Sequence, residues 1–426
     1  MTSGTRLTRR EFIKLTGLTG LLLAVDWKQA IRAMAETVRS GDVNIIWFEA
    51  QDCAGNTTAL IQATDPDLLD ILGGSAHLTG PGNVKLLFHE TVMAEWGESA
   101  LEILRKAEAG EYDPYVLVLE GSVPPDEKMG APPYSDYLCY IGEENGKPVS
   151  CMEWMRRLVK RAVAVVTVGN CASYGGVVAN RVLTPPPGFR DHEYYKNQGF
   201  SPSPTGGIGF FPDPIRGFKG LIDVLPEAEP FKRFAYDKCK PQGAGDPSCR
   251  PAIAVPGCPA NGNAQLRVLA NLVLWAKGLV DLPELDEYWR PKFIFGPTVH
   301  EQCPRAGSYA AGDFRETPGE PDDKCLFAVG CKGPISNCPW NKVGWVNGVG
   351  GPTRTGGVCI GCTMPGFTDS FEGFYKPLNA VQKVRTRELA SGLAIAGAAG
   401  AALAFLAERS LRKKPEKSSG KEGGES

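Results

Sequence analysis

A dense group of cysteines in the second half of the chain is the feature that most constrains its fold. Between residues 300 and 362 the sequence holds six cysteines and one histidine, set among glycines and prolines. A segment so rich in turn-forming residues has a thin apolar core, and metal or disulfide cross-links stabilise such segments. Seven donors divide naturally into four and three, so the pattern predicts metal or iron–sulfur sites. The seven residues are His300, Cys303, Cys325, Cys331, Cys338, Cys359 and Cys362.

The composition narrows the class of protein further. The 426 residues include 13 cysteines, an odd number that cannot all pair as disulfides. The 46 Lys and Arg nearly balance the 48 Asp and Glu, so the net charge gives no case for a nucleic-acid partner. With 42% hydrophobic and 22% charged residues, the chain is predicted to be globular, with two or three domains.

The first half of the chain alternates short apolar runs with helix-like stretches, such as 98–109 and 151–161. This alternation predicts an α/β fold, with an open, mostly parallel sheet and helices on both faces. The predicted strands are 43–48, 84–88, 115–119, 163–168 and 252–255.

Three cysteines each follow one of these predicted strands: Cys53, Cys171 and Cys258. Functional groups of open parallel sheets gather beyond the carboxyl ends of the strands, so the three thiols are expected to converge. Three thiolates at one edge indicate a metal or iron–sulfur site. Three buried thiols that act as small apolar side chains are the alternative.

The N-terminal residues carry a twin-arginine pattern. Residues 8–14 read TRREFIK, an apolar run follows at 15–25, and the small residues at 33–35 offer a cleavage site. We predict an export signal over 1–40, with a retained basic amphipathic helix as the alternative.

An uncharged, alanine-rich stretch at 389–407 lies near the C-terminus. As a helix it spans roughly 28 Å, the thickness of a bilayer core. We predict one transmembrane anchor over 388–408 and a disordered tail over 409–426, with an alanine-rich surface helix as the alternative to the anchor. The basic residues after it favour a cytoplasmic tail, and therefore a protein body on the outer face of the cell membrane.

Five motifs resemble those of the small, electron-transferring subunit of [NiFe] hydrogenases. They are GNCASYGG, VPGCPAN, TVHEQCPR, GCKGP and VCIGC, and the resemblance covers roughly residues 43–370. It implies a flavodoxin-like, doubly wound domain over 41–262 with a proximal cluster, which faces the Ni–Fe centre of a separate large subunit. It also implies a loop-rich iron–sulfur domain over 263–376 with a medial and a distal cluster.

The same resemblance assigns ligands to three clusters. The proximal [4Fe-4S] cluster would use Cys53, Cys171 and Cys258. The distal [4Fe-4S] cluster would use His300, Cys303, Cys325 and Cys331. The medial [3Fe-4S] cluster would use Cys338, Cys359 and Cys362, and Pro352 stands where the family has proline in place of a fourth ligand.

The first motif departs from the family pattern C-x-G-C. This chain reads QDCAGN, so Asn56 stands at the position of the second cysteine. Asp52 is the predicted fourth proximal ligand, because a carboxylate can bind iron directly, and an incomplete cluster is the alternative. The pattern resembles an actinobacterial-type branch with an Asp-ligated proximal cluster, which is linked to hydrogen oxidation in air. We therefore expect a high-affinity, oxygen-insensitive uptake enzyme.

The chain shows no nucleophile, acid–base pair or nickel motif, so no catalytic residue is expected in it. It is expected to relay electrons from the large subunit to a membrane cytochrome b or quinone, within a dimer of heterodimers. One alternative is a complex-I-like quinone-reductase subunit, which shares the N-terminal half but lacks the seven-ligand region. Another is a non-redox surface protein stapled by zinc or disulfides.

Four cysteines and one acidic residue stay outside these assignments. Cys239 and Cys249 bracket a Gly/Pro loop, where either a disulfide or two inert thiols fit the pattern. Cys139 and Cys151 are given no role. Glu120 ends the third predicted strand, where three environments fit the pattern: the large subunit, solvent, or a hydrogen-bond partner within the domain.

Overall fold

The computed structural model describes residues 43–65, 67–68, 84–180, 191–276, 280–319, 322–371 and 373–378. The predicted export signal and the predicted membrane anchor lie outside these ranges. Within them, no helix has both the length and the apolar character that crossing a membrane requires.

In the part of the chain that the structure describes, seven strands form two sheets. The strands are β1 Val43–Glu49, β2 Val84–His89, β3 Tyr115–Glu120, β4 Tyr140–Glu144, β5 Lys147–Ser150, β6 Ala164–Val168 and β7 Ala252–Val255. Five of them make a parallel sheet in the order β2–β1–β3–β6–β7, and β4 and β5 form a separate antiparallel hairpin. The parallel sheet has the strand order of flavodoxin-like folds, in which the direction of winding reverses between β1 and β3. The predicted α/β fold with a parallel sheet is confirmed.

Helices pack on both faces of the parallel sheet. The helices are α1 Gly55–Ile61, α2 Glu98–Ala109, α3 Cys151–Val159, α4 Gly169–Tyr174, α5 Asp191–Gln198, α6 Leu221–Val224, α7 Glu229–Lys232, α8 Gly262–Ala276, α9 Lys292–Phe295, α10 Ala306–Ala310 and α11 Trp340–Val343. Ile45 and Trp47 of β1 lie in the core that contains α8, whereas Ile46 and Phe48 lie in the core that contains α2 and α3. Strands buried on both faces read as continuous apolar runs, which explains why the sequence identified them.

Beyond α8 the described chain consists mostly of turns and short helices. Its apolar side chains nevertheless join the core of the sheet: Val299, Leu326, Trp340 and Val358 belong to the same buried cluster as the strand residues and α8. The second half is therefore packed directly against the sheet domain. The predicted domain boundary between 262 and 263 stays a prediction.

Candidate metal centres

The structure separates the thirteen cysteines into two classes. Disulfides join Cys139 to Cys151 and Cys239 to Cys249. The other nine are free thiols, and they are the nine that the sequence predicted as ligands. The first disulfide was missed, because its cysteines stand on either side of the β4–β5 hairpin and only that hairpin brings them together.

The first set of free thiols is Cys53, Cys171 and Cys258, which gather at the carboxyl edge of the parallel sheet. Cys53 follows β1, Cys171 lies in α4 directly after β6, and Cys258 follows β7. Partial burial of the Cys258 sulfur, together with the nearby sulfurs of Cys362, Cys171 and Cys53, raises the pKa of this thiol to about 12. Cys53 and Cys258 are exposed in this chain, so the first set opens onto its surface.

The close approach of the loops around the first set depends on glycine. Gly176 has a φ of +54°, and a Cβ atom at this position would lie 2.7 Å from the Cys171 sulfur. A larger residue would therefore collide with the thiol in a backbone conformation that side chains rarely adopt.

The second set is Cys338, Cys359 and Cys362, and it contacts both of the other sets. Burial raises the pKa of the Cys362 thiol, and a hydrogen bond from the Cys258 backbone partly offsets this rise. On the first-set side, the Asn170 side chain donates to the Cys362 carbonyl at 2.8 Å. On the other side, the Lys332 backbone N–H donates to the Cys359 carbonyl at 2.7 Å. The second set therefore lies between the first and the third.

The third set is His300, Cys303, Cys325 and Cys331, which line one small cavity. Burial, together with the nearby sulfurs of Cys331 and Cys303, raises the pKa of Cys325 to about 11. Burial lowers the pKa of His300, which keeps the imidazole neutral and able to coordinate a metal. The His300 ring stacks edge-on against Tyr309, with 4.5 Å between the ring centroids.

The donor chemistry of these sets fits iron–sulfur clusters. Burial, and to a smaller extent the neighbouring sulfurs, raises the pKa of Cys258, Cys325 and Cys359, so without metal these thiols carry protons at neutral pH. Iron replaces those protons and compensates the thiolate charge that burial otherwise disfavours. Which cysteine binds which cluster, and the type of each cluster, stay predictions.

Asn56, at the position of the family's second cysteine, is buried and bonded to its neighbours. Its Nδ2 donates to Glu120 Oε1 at 3.1 Å, and its Oδ1 accepts from the Ala260 N–H at 2.8 Å. Its backbone N–H also donates to Glu120, at 3.0 Å. Both polar atoms of the Asn56 side chain are thus used within the protein.

Asp52 lies beside Cys53, and its Oδ2 accepts from the Ala54 N–H at 2.5 Å. Carboxylate oxygens of Asp52, Glu49 and Glu120 lie within 4.8 Å of one another. Burial raises the pKa of all three carboxyl groups. Asp52 is therefore one of a group of acidic residues beside the first set, and its role as an iron ligand stays a prediction.

Glu120 points into the domain, which settles the choice left open by the sequence. It is fully buried, and it accepts hydrogen bonds from Trp47 Nε1 at 3.1 Å and from the Thr57 hydroxyl at 2.7 Å. Thr57 in turn lies 3.2 Å from Nε2 of the buried His89. Because this network joins the ends of three strands, no spacing in the sequence could have identified it.

Comparisons with known proteins agree with the architecture of these sites. Residues 295–375 match the family model for the C-terminal region of the NiFe/NiFeSe hydrogenase small subunit. Residues 53–272 match the model for the NADH ubiquinone oxidoreductase 20 Kd subunit. The chain is 29% identical to the uptake hydrogenase small subunit of Azotobacter vinelandii, over 93% of this chain and 91% of that relative. It is also 29% identical to the periplasmic [NiFeSe] hydrogenase small subunit of Desulfomicrobium baculatum, over 87% of this chain and 98% of the relative.

Among solved structures, the chain is similar to a chain of the actinobacterial-type NiFe-hydrogenase from Ralstonia eutropha H16. The TM-score is 0.62 at 31% identity, and the match covers 89% of this chain and 94% of the other. Small subunits of this family carry iron–sulfur clusters and pair with a large subunit that holds the Ni–Fe centre. The chain belongs to the [NiFe] hydrogenase small subunits, the electron-transferring subunits of a heterodimeric oxidoreductase.

Proposed function

We propose that this chain is the electron-transferring subunit of a membrane-attached uptake hydrogenase of the actinobacterial, oxygen-insensitive type. The observation that carries the proposal is the position of the second cysteine set, which contacts both the first set at the exposed sheet edge and the third set around His300. Three donor sets in a row are what stepwise electron transfer through a protein requires.

The residues that would hold the clusters follow the assignments from the sequence. The first set with Asp52 would hold a proximal [4Fe-4S] cluster, the second set a medial [3Fe-4S] cluster and the third set a distal [4Fe-4S] cluster. Such clusters, when bound, accept and donate single electrons. Backbone N–H groups of Arg305 and Gly333 donate to the sulfurs of Cys303 and Cys331, each at 3.4 Å, and such donors stabilise negative charge on cluster sulfur.

The first set faces outward, which supports a partner subunit at that edge. Cys53 and Cys258 are exposed in this chain, and a cluster there would be open to solvent unless another protein covered it. The large subunit with its Ni–Fe centre is the partner that this arrangement requires, because hydrogen must be split beside the first electron acceptor. We expect two such heterodimers to associate.

An exported, membrane-attached location is proposed from three features. Two disulfides are typical of proteins that mature outside the reducing cytosol. The twin-arginine pattern and the predicted anchor are consistent with export of a folded protein and with attachment on the outer face. Electrons from the third set would then pass to a membrane cytochrome b or quinone.

The decisive experiment separates hydrogen splitting from electron relay. The complex with its large subunit is purified, and two activities are measured. They are hydrogen-dependent dye reduction and the exchange of isotope between H2 and deuterated water, which reports hydrogen splitting. Cys359→Ser, in the second set, is expected to lower dye reduction at least about tenfold while exchange at the large subunit continues. The matched control, Cys239→Ser, removes a cysteine that lies in a disulfide, so dye reduction should persist.

Metal analysis provides a second test. Iron and acid-labile sulfide are expected in the proportions of two four-iron clusters and one three-iron cluster. A colourless complex with stoichiometric zinc would overturn the proposal in favour of a stapled surface protein. Quinone reduction without any hydrogen-dependent activity would instead favour the complex-I-like alternative, whose family model matches residues 53–272.

A further inference from the structure

We infer that Thr353 donates a hydrogen bond to the sulfur of Cys303 and thereby raises the reduction potential of the cluster that the third set holds. This inference rests on the proposed function. The Thr353 Oγ1 lies 3.0 Å from the Cys303 Sγ. Thr353 is buried, at 2% exposure, and it lines the same cavity as His300 and the three thiols. Among the described residues that line that cavity, it alone carries a side-chain hydroxyl.

The neighbouring Asn341 fixes the direction of this hydrogen bond. The Thr353 backbone N–H donates to Asn341 Oδ1 at 3.1 Å, which identifies that atom as the amide oxygen. The amide nitrogen, Nδ2, therefore faces the Thr353 hydroxyl at 2.5 Å and donates to it. Since the hydroxyl oxygen accepts from Asn341, its own proton is free to point at Cys303. A cysteine bound to iron has no proton to give, so the hydroxyl must be the donor.

Three further bonds hold Thr353 in position. Its carbonyl accepts from Arg305 Nε at 2.9 Å, while its N–H and its hydroxyl bond to Asn341. Arg305 also donates its backbone N–H to the Cys303 sulfur at 3.4 Å. The Cys303 sulfur thus has a backbone donor and a side-chain donor, both fixed by the same network.

Hydrogen bonds to cluster sulfur favour the reduced cluster, because reduction adds negative charge that the donor stabilises. The Thr353 hydroxyl acts in a site that is shielded from water, where such a bond has a larger effect than at a surface. A higher potential at the third set draws electrons away from the second set and towards the exit. Thr353 is thus a positioning residue that acts through Cys303.

The test is a redox titration of the purified complex, followed by the electron paramagnetic resonance signal of the distal cluster. Thr353→Val keeps the shape of the side chain but removes the hydroxyl, whereas Thr353→Ser keeps a hydroxyl. In Thr353→Val we expect the ratio of reduced to oxidised distal cluster, at a fixed applied potential, to fall about tenfold, or about 59 mV for a one-electron couple. Thr353→Ser should stay close to wild type. The proximal cluster, bound by other residues, should keep its potential in both variants.

The iron content of each variant shows whether its clusters are intact. If the Thr353→Val complex does not assemble, Thr353→Ala is used in its place. An unchanged distal potential in the variants that lack the hydroxyl, with clusters intact, overturns this inference and leaves the proposed function standing. A wild-type complex without any distal cluster signal overturns both. Equal shifts of the proximal and distal potentials would show a general structural disturbance, and they would also overturn the specific role of Thr353.

Discussion

Asn56 and Glu120 are joined by two hydrogen bonds to the same carboxylate oxygen, from the Asn56 backbone N–H at 3.0 Å and from its Nδ2 at 3.1 Å. Glu120 ends β3 and Asn56 lies in α1, while the Asn56 Oδ1 accepts from Ala260 on the loop after β7. The residue that replaces a family cysteine thus connects three segments at the functional edge of the sheet.

Replacing Asn56 is therefore expected to reduce stability. Asn56→Ala leaves the Ala260 N–H without its acceptor, which costs about 1–3 kcal/mol of the free energy of unfolding. Denaturant unfolding of the complex measures this loss. Gln62→Ala, at an exposed position just after α1, is the control and should change stability little. Loss of the proximal cluster at unchanged stability would contradict this role and would indicate that Asn56 acts on the cluster itself.

Asp52 is expected to supply the fourth proximal ligand. In Asp52→Ala the proximal cluster should lose one iron, because three thiols remain and three thiols hold a three-iron cluster. Asp52→Cys should keep four irons, since a thiolate replaces the carboxylate. Iron content and the paramagnetic spectrum of the proximal cluster report the change. Cys53→Ala, which removes a predicted thiol ligand, is the comparison, and it should lose the proximal cluster signal completely. An unchanged proximal signal in Asp52→Ala would remove Asp52 from the set of ligands.

The disulfide between Cys139 and Cys151 closes a loop around the β4–β5 hairpin, with a sequence separation of 12 residues. Its removal in Cys139→Ser/Cys151→Ser is expected to cost about 3 kcal/mol, because a loop of this size gains much freedom in the unfolded chain. The Cys239–Cys249 pair, with a separation of 10, should have a similar effect. Thermal unfolding with and without reductant measures both effects. If reductant leaves the unfolding temperature of the wild type unchanged, the disulfides do not form in the mature protein.

Glu90 is expected to make stability depend on pH. Burial raises its pKa well above the usual 4.5, and the hydrogen bond that its carboxylate accepts from the Glu49 backbone N–H offsets only part of this rise. Above pH 4.5 the Glu90 carboxyl loses its proton in the unfolded chain but keeps it in the folded protein. The free energy of unfolding therefore falls as the pH rises towards the folded pKa. Glu90→Gln should remove this pH dependence, which amounts to up to about 1.4 kcal/mol of the free energy of unfolding per pH unit.

The comparison of Glu90→Gln with wild type cancels the contribution of His89, whose pKa burial lowers to about 4. The contribution of His89 to stability depends on pH in the opposite sense. Its folded pKa is lowered, so the protein loses stability as the pH falls below 6.5, the pKa of this histidine in the unfolded chain. Glu95→Gln is the matched control, since Glu95 is exposed nearby. Parallel stability curves for Glu90→Gln and wild type between pH 5 and 8, by chemical denaturation, would disprove the role of Glu90.

Much of the sheet domain could be predicted from local patterns. The continuous apolar runs at 43–48 and 115–119 correspond to β1 and β3, and the predicted helix at 98–109 matches α2. These features depend on which residues follow one another, so a single sequence carries them. The nine predicted ligand cysteines are likewise the nine free thiols. Six of them stand in one segment rich in glycine and proline, between residues 303 and 362, and the other three each follow a predicted strand.

The sequence by itself determined the α/β architecture, the nine cysteines predicted as ligands and the family of the chain. Only the tertiary structure decided that Asn56 turns inward to Glu120 and Ala260, that Cys139 pairs with Cys151, and that Asn341 directs the Thr353 hydroxyl towards Cys303. The physical reason is the separation in sequence between the residues that interact. Periodicity and motif spacing record local order, whereas the partner of a buried polar side chain depends on which distant segments the folded chain brings within about 3 Å.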